Sequence, residues 1–298
     1  MDRFSAMSVF VSAVSAGSLS AAGRELRMPL PTVSRKVTEL ESLLDAKLLV
    51  RGTRKLTLTD VGEAYLKACR RILEEVAEAE RGAAGEYKAP QGELAITAPV
   101  TLGRLHVVPV ASEFLAAHPR VNLRLVLTDR QLNLIDDHLD LAVRVGDLPD
   151  SSLVAVRIGQ IRTVVCASPG YLDAHGIPKT PQGLAAHDCV TFTALGAAEA
   201  WTFQGAETVR VRSRMVVSTA EAALDAAVWG VGLARVLSYQ AADAVKSGRL
   251  KVVLKKFETP PLPVNLVYVG ARRASGKLRA FLDFATARLR DRIGNATV

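Results

Sequence analysis

Hydroxyl and guanidinium side chains recur along one face of a predicted helix near the amino terminus. Val33, Val37, Leu40 and Leu44 repeat every three or four residues, which predicts an apolar stripe on a helix over residues 31–44. The opposite face and its flanks carry polar groups and a proline: Pro31, Thr32, Ser34, Arg35, Lys36 and Thr38. Arginine can make two hydrogen bonds to guanine in the major groove, and serine or threonine can donate or accept there. The alternative is a solvated face on which Arg35 pairs with Glu39, four residues on.

A basic hairpin is expected directly after this helix. Two apolar runs within residues 48–59 flank a short polar turn that contains Gly52, a pattern typical of a β-hairpin. The cations at its end are Arg51, Arg54 and Lys55. A cationic patch of this kind favours phosphate, with an affinity that falls as salt rises. We therefore expect the hairpin to contact a nucleic-acid backbone while the helix reads base edges.

The segment before the polar-faced helix completes a helix-turn-helix pattern. Residues 19–26 carry the small Ala21 and Ala22, which would let a partner helix pack closely. A first helix is expected over residues 4–16, with Phe10 and Val14 available to pack on the pair. Three short helices and a hairpin are consistent with a compact DNA-binding module.

These residues resemble the winged helix-turn-helix of LysR-type transcriptional regulators. The matching motifs are Gly17-Ser18-Leu19-Ser20-Ala21-Ala22, Leu26, Thr32-Val33-Ser34-Arg35-Lys36-Val37, Leu40-Glu41, Leu48-Leu49-Val50-Arg51, Leu58-Thr59 and Gly62. One departure concerns the start of the second helix, where the family usually has Ser then Gln and this chain has Pro29 and Leu30. A side-chain helix cap and one polar base-reading group are therefore missing, and the base preference of other members does not carry over.

A long amphipathic helix is predicted over residues 60–80. Its apolar residues step by three or four and continue to residue 83: Val61, Tyr65, Ala68, Ile72, Val76, Ala79 and Ala83. A near-heptad stripe implies a partner helix, and the resemblance implies a linker helix that builds a dimer through Tyr65, Ala68, Ile72 and Val76. The alternative is packing of this stripe against the chain's own body.

The remainder of the chain has an α/β pattern. After a break at residues 89–92, strands and helices alternate to residue 145, with a helix expected at 132–138, which favours a parallel sheet. The layout resembles the family's effector domain, two Rossmann-like lobes similar to periplasmic binding proteins of type 2. The expected domains are a winged helix-turn-helix at 1–59, a linker helix at 60–88, lobe I at 89–165 and 264–298, and lobe II at 166–263.

An effector site is expected in the cleft between these lobes, since ligands of open α/β sheets bind outside the carboxyl ends of strands. Helices are predicted to start at Pro99-Val100-Thr101 and at Ser218-Thr219, and helix starts favour anions. The expected lining is Pro99, Val100, Thr101, Thr128, Arg144, Ser218, Thr219 and Arg235. We therefore expect a small organic or aromatic carboxylate as effector. The alternative for the hydroxyl residues is plain helix capping.

Other chemistries lack their signals. The three cysteines are widely spaced, which suits reduced thiols in a cytoplasm, although a redox switch of Cys166 with Cys189 is conceivable. We find no metal-ligand spacing, no phosphate loop, no nucleophile elbow, no secretory signal and no apolar run of membrane length. We thus expect a non-enzyme without cofactor or metal and without a membrane partner. The alternatives are a small-molecule-binding or enzymatic α/β protein with a helical oligomerisation arm, and a cysteine-based redox regulator.

The partners implied by the resemblance are double-stranded promoter DNA, a small effector, RNA polymerase and further copies of the chain. The copies would form a homotetramer built as a dimer of dimers. The net charge of +8 agrees with a nucleic-acid partner, although much of the excess lies in residues 249–298, on a predicted strand and terminal helix.

Overall fold

The computed structural model describes residues 2–51, 56–83, 89–148, 152–192, 199–205, 208–270 and 275–294. It divides into two compact units, residues 1–88 and residues 89–298.

The first unit contains four helices and a two-stranded hairpin. Its elements are α1 (Arg3–Ser15), α2 (Leu19–Glu25), α3 (Leu30–Leu44), β1 (Leu49–Arg51), β2 (Leu56–Leu58) and α4 (Asp60–Ala83). Phe10, Val33 and Leu40 are fully buried where α1 and α3 meet. The expected helix-turn-helix, hairpin and linker helix are therefore confirmed.

Two glycines permit close approaches in this unit. A Cβ at Gly23 would lie 2.9 Å from the carbonyl oxygen of Met28, at the crossing of α2 and α3. A Cβ at Gly62 would lie 2.0 Å from the carbonyl oxygen of Leu48. The start of α4 therefore contacts the start of the hairpin through bare backbone, which a larger residue would push apart.

The second unit contains two five-stranded sheets. Lobe I has the strand order β4-β3-β5-β14-β6 and lobe II the order β11-β8-β12-β7-β13. The strands are β3 (Gly92–Ala98), β4 (Val121–Leu127), β5 (Leu141–Val145), β6 (Leu153–Ile161), β7 (Thr163–Ala167), β8 (Asp188–Phe192), β9 (Ala200–Trp201), β10 (Val209–Arg210), β11 (Arg212–Val217), β12 (Leu233–Leu237), β13 (Lys251–Val253) and β14 (Leu262–Val269). The helices are α5 (Val100–Leu102), a π-helical turn (Gly103–Val107), α6 (Val108–Ala117), α7 (Pro169–His175), α8 (Ala220–Val228), α9 (Ser238–Lys246) and α10 (Gly276–Gly294), with 3-10 turns at Pro181–Ala186 and Lys255–Phe257.

Both sheets are mixed, whereas the sequence pattern favoured parallel ones. β3 runs parallel to β4 and β5, but β14 is antiparallel to β5 and β6, and β12 is antiparallel to β7. The strands β7 and β14 arrive from the other lobe without a crossover helix, and a parallel neighbour normally requires one. The chain changes lobes at Arg162 and just before Leu262, a few residues ahead of the expected boundaries at 165 and 263.

The expected helix at residues 132–138 is absent, and a run of turns takes its place. The side chain of Asn133 accepts hydrogen bonds from the N–H groups of Ile135 (2.9 Å) and Asp136 (3.4 Å), and the carboxylate of Asp137 accepts one from the N–H of Asn133 (2.8 Å). Asn and Asp side chains that bond nearby backbone compete with helix formation in this way.

Among the described residues, the segment Val100–Ala117 is the one helix long and apolar enough to cross a membrane by length and composition, and the bent pair of α1 and α2 passes the same test together. Val110 and Phe114 are fully buried in the core of lobe I. Packing within the lobe thus accounts for the apolar composition of this segment.

Candidate DNA interface and effector cleft

The outward face of α3 forms one wall of an open groove. Its lining consists of Pro31, Ser34, Arg35, Thr38, Glu39, Ser42 and Leu43. The side chain of Arg35 is 71% exposed, and its Nε lies 3.8 Å from a carboxylate oxygen of Glu39. Exposed pairs four residues apart on a helix contribute little stability. The pairing alternative therefore does form, but it is too weak to keep Arg35 from a base.

Two of the expected contact residues also have bonds within the unit. The Nζ of Lys36 donates a hydrogen bond to Oγ of Ser5 (2.8 Å), which joins α3 to α1. The hydroxyl of Thr38 donates to the carbonyl of Ser34 (3.0 Å), one turn earlier. Lys36 is half-buried, whereas Pro31 and Thr38 are exposed and Thr32 and Ser34 are half-buried.

A buried carboxylate that the sequence analysis did not single out positions the hairpin on α3. Glu41 accepts hydrogen bonds from the N–H groups of Leu48 (2.9 Å) and Leu49 (3.2 Å), and its other oxygen lies 3.1 Å from Nζ of Lys47. Burial by itself would raise the pKa of Glu41, but these hydrogen bonds together hold the pKa below its ordinary value. The carboxylate thus stays charged and fixes where the hairpin starts. An acidic residue directly after the buried Leu40 was the available signal.

Of the hairpin cations, Arg51 ends β1, while Arg54 and Lys55 lie outside the described residues, as does the side chain of Arg51. Behind the hairpin, the hydroxyl of Thr59 donates to the carbonyl of Lys47 (2.6 Å) and accepts from the N–H of Gly62 (2.9 Å). The hairpin is therefore joined to α4 by hydrogen bonds as well as by close backbone contact.

The apolar stripe of α4 divides into two parts. Tyr65 lies 6.0 Å from Phe10 between ring centroids, and Ile72 packs against the same core as the buried Leu66. Ala68 and Val76 are half-buried and lie outside that core. The stripe thus serves the unit's own packing over its first half, as the alternative interpretation expected. Val76 stands on the part that the unit's core does not use.

In the second unit, the structure brings the two expected anion-binding starts together across the lobes. Thr101 at the start of the lobe I helix is buried, and its hydroxyl donates a hydrogen bond to the carboxylate of Glu221 in the first turn of α8. The N–H of Val100 donates to a carboxylate oxygen of Asp129 (3.1 Å). Both donors that were expected for an effector therefore hold carboxylates of the chain itself.

The other expected cleft residues make local hydrogen bonds. Thr219 accepts from the N–H of Ala222 (3.3 Å) and caps α8, as the capping alternative expected. The hydroxyl of Thr128 accepts from the N–H of Arg130 (3.2 Å), and Arg144 donates to the carbonyl of Leu132 (2.7 Å). Ser218 is exposed, and Pro99 precedes the lobe I helix without a side-chain cap.

Tyr239 is a cleft residue that the sequence analysis passed over. It begins α9 of lobe II yet packs into the core of lobe I and is buried. Burial raises its pKa, and the nearby charges of Asp129 and Glu221 raise that pKa further. Its ring meets that of His106 edge-on at 5.9 Å between centroids. Burial lowers the pKa of His106, with a smaller contribution from Arg292, so both rings are neutral at the contact between the lobes.

Arg235 lies away from this contact. Its guanidinium donates to the carbonyl of Thr202 (3.1 Å) and stands 5.9 Å over the ring of Phe203. These residues line a small cavity within lobe II, together with Thr163 and Glu258. The structure therefore does not bring Arg235 together with Thr101 and Thr219.

The two effector-domain cysteines cannot meet as the structure stands. Cys166 on β7 and Cys189 on β8 pair with opposite sides of β12, which separates them by two strand spacings, about 10 Å. They also face opposite sides of the sheet, since Cys166 packs under α8 and Cys189 packs with Tyr171 and Trp201. Burial raises the pKa of each thiol to about 12, which disfavours the reactive thiolate. Among the described residues, no group of three His, Cys, Asp or Glu side chains could hold a metal ion.

Comparison with known families matches both units. Residues 4–63 match the bacterial regulatory helix-turn-helix protein, lysR family, and residues 88–290 match the LysR substrate binding domain. The chain belongs to the LysR family of transcriptional regulators. As a LysR-type regulator it has a DNA-binding helix-turn-helix and an effector-binding domain, and it is not an enzyme, so the alternative of an enzyme with a helical arm is wrong.

Relatives align with this LysR-type regulator along nearly its whole length. An HTH-type transcriptional regulator of Xanthomonas campestris pv. campestris is 38% identical over 94% of this chain and 84% of its own length. The structure of CrgA, a LysR-type transcriptional regulator from Neisseria meningitidis, is similar with a TM-score of 0.62 at 33% identity, covering 96% of this chain and 98% of that one. The full-length structure of the Vibrio cholerae virulence activator AphB gives a TM-score of 0.61 at 27% identity, covering 95% and 98%.

Proposed function

We propose that this LysR-type regulator binds a specific promoter sequence as an oligomer in the cytoplasm and that an organic carboxylate bound between its lobes changes that binding. The observation that carries the DNA part is the exposed polar face of α3 beside a cationic hairpin. Pro31, Thr32, Ser34, Arg35, Lys36 and Thr38 would meet base edges or adjoining phosphates, and Arg51, Arg54 and Lys55 would hold the backbone. RNA polymerase would be the further partner at the promoter.

Oligomerisation would use the outer part of the α4 stripe. Ala68 and Val76 lie outside the core that Tyr65 and Ile72 join, so a second α4 could cover them. A homotetramer, built as two such dimers, would place paired helix-turn-helix modules on a pseudo-palindromic site. Linked modules gain affinity because the second binding event becomes intramolecular.

The carboxylate effector would take the position of an internal carboxylate. Glu221 accepts from the hydroxyl of Thr101, and Asp129 accepts from the N–H of Val100, so this end of the cleft already accommodates carboxylate oxygens. An effector carboxylate that displaced Glu221 would break the direct link between the lobes. Displacement of a link between lobes is a differential contact of the kind needed to shift a conformational equilibrium.

The central test is DNA binding by the full-length protein. Promoter-proximal DNA from beside its gene should bind with nanomolar affinity, and this affinity should fall steeply with salt, whereas shuffled DNA of the same composition should bind at least a hundredfold more weakly. Equal affinity for both duplexes would contradict sequence-specific recognition.

The effector part has a separate test. Calorimetry of the full-length protein with a panel of small carboxylates, amines and neutral sugars should give heat for carboxylates only. Binding of amines instead, with affinity that depends on Glu221, would overturn the assignment in favour of a cationic effector.

A further inference from the structure

Three exposed apolar residues stand in a row at the start of α3: Pro29, Leu30 and Pro31. Leu30 is 46% exposed, whereas Met28, two residues earlier, packs against the core of the first unit. A run of three exposed apolar residues is unusual on a protein surface unless it serves a contact. The fold of the first unit therefore leaves this triplet without a packing role.

The triplet adjoins the surface that reads DNA. Pro31 lines the same groove as Ser34 and Arg35. The first residues of a recognition helix approach the base edges, and side chains on a helix lean toward its amino-terminal end. Leu30 is the first residue of α3, so its side chain stands at the leading end of the helix.

This end of the helix has little capacity for hydrogen bonding to a base. Pro29 and Pro31 have no N–H group. The N–H groups of Thr32 (2.9 Å) and Val33 (3.2 Å) both donate to the carbonyl of Pro29, which offers no side-chain cap. What the leading end of α3 presents is mainly apolar surface.

Thymine is the base that matches such a surface, because it carries a methyl group in the major groove where the other bases present only polar groups. We propose that Leu30, flanked by Pro29 and Pro31, packs against the C5-methyl group of a thymine and makes that thymine a specificity determinant of each half-site. This inference rests on sequence-specific DNA binding and adds the base class that this chain reads where its relatives usually carry a polar pair.

Uracil replacement isolates the methyl group, since deoxyuridine lacks it and keeps every hydrogen-bonding group of thymidine. The probe is a duplex selected from a random-sequence library by the full-length wild-type protein, with each thymine replaced singly by uracil. Replacement at one thymine per half-site should weaken wild-type binding about three- to fivefold, the effect expected for one methyl group removed from water. At that position Leu30→Ala should bind the thymine and uracil duplexes equally.

Two further variants sharpen the test. Leu43→Ala removes a leucine of similar exposure, 49%, near the other end of α3, and should keep the uracil sensitivity at the same thymine. Leu30→Gln should lose the sensitivity and select a different base there. Circular dichroism should show unchanged folding of both Leu30 variants, since the side chain is outside the core.

The inference is overturned if no uracil substitution affects the wild-type protein, or if Leu30→Ala retains the full penalty. It is equally overturned if Leu43→Ala removes the sensitivity as effectively as Leu30→Ala. Failure to enrich any duplex in the selection is a different result, because it would refute the proposed sequence-specific binding itself.

Discussion

The hydroxyl of Thr101 in lobe I donates a hydrogen bond to the carboxylate of Glu221 in lobe II. These residues are separated by 120 positions in the chain, and their contact joins the starts of two helices across the effector cleft. Glu221 thus occupies the position at which we place the carboxylate of an effector.

Glu221→Gln should tighten the binding of carboxylates. The variant removes a competing charge from Thr101 while keeping the size of the side chain, and hydrogen bonds to charged groups contribute about 1.5–3 kcal/mol. Calorimetry should show roughly a tenfold gain or more. Asp225→Asn, which neutralises an exposed carboxylate on the same helix, is the matched control and should leave the affinity unchanged. Equal gains in both variants would point to a general charge effect.

Arg35→Ala should weaken cognate DNA by about 1–3 kcal/mol and relax its sequence preference. The reason is that the exposed guanidinium stands in the groove of α3, where it can reach guanine. Arg54→Ala should instead weaken cognate and random duplexes alike. Titrations on both duplexes measure the difference, and an equal loss on both for Arg35→Ala would assign it to phosphate.

Glu39→Gln tests whether the ion pair restrains Arg35. The partner oxygen lies 3.8 Å away at an exposed position, so removing its charge should leave cognate affinity the same or slightly higher. A marked loss of cognate affinity would show that Glu39 positions the guanidinium for DNA.

Glu41→Gln should destabilise the first unit by about 1–3 kcal/mol at neutral pH, since the charged acceptor of two backbone N–H groups is lost. The pKa of Glu41 is lowered in the folded state, so its contribution is fully present above the unfolded-state pKa and is lost as pH falls through the folded value. Urea unfolding at pH 7 and at decreasing acidic pH should show the gap between wild type and variant closing. Glu39→Gln, at an exposed position of the same helix, should behave as wild type; a gap independent of pH would exclude the charge as the cause.

Val76→Asp should dissociate the oligomer. An aspartate in an apolar seam between two α4 helices would be buried without a partner. Ile72→Asp is a less clean probe, because Ile72 also packs against the core of its own unit. Light scattering of Val76→Asp should give a lower mass than wild type, and operator affinity should fall with it. Lys67→Asp adds the same group at an exposed position of α4 and should leave the mass unchanged; an unchanged mass for Val76→Asp would place the dimer contact elsewhere.

The helices of the first unit could be predicted because their signals are local. The stripe of Val33, Val37 and Leu40 repeats with the period of a helix, and all three are buried in the structure. The hairpin and α4 were likewise set by short-range alternation and periodicity. The expected helix at 132–138 failed for a local reason too, since the side chain of Asn133 bonds the backbone more effectively than a helix would.

Contacts between distant parts of the chain were decided by tertiary structure alone. Nothing near Thr101 in sequence indicates that Glu221 and Asp129 would occupy its cleft, or that Tyr239 of lobe II would pack into lobe I. The sequence likewise determined that residues 60–83 form an amphipathic helix, but not that Tyr65 and Ile72 would be used by the unit's own core while Val76 would not. Periodicity reports which side of an element is apolar, because that is a property of neighbouring residues. Which surface covers that side depends on how the elements pack, and the sequence pattern of one element carries no information about its distant partner.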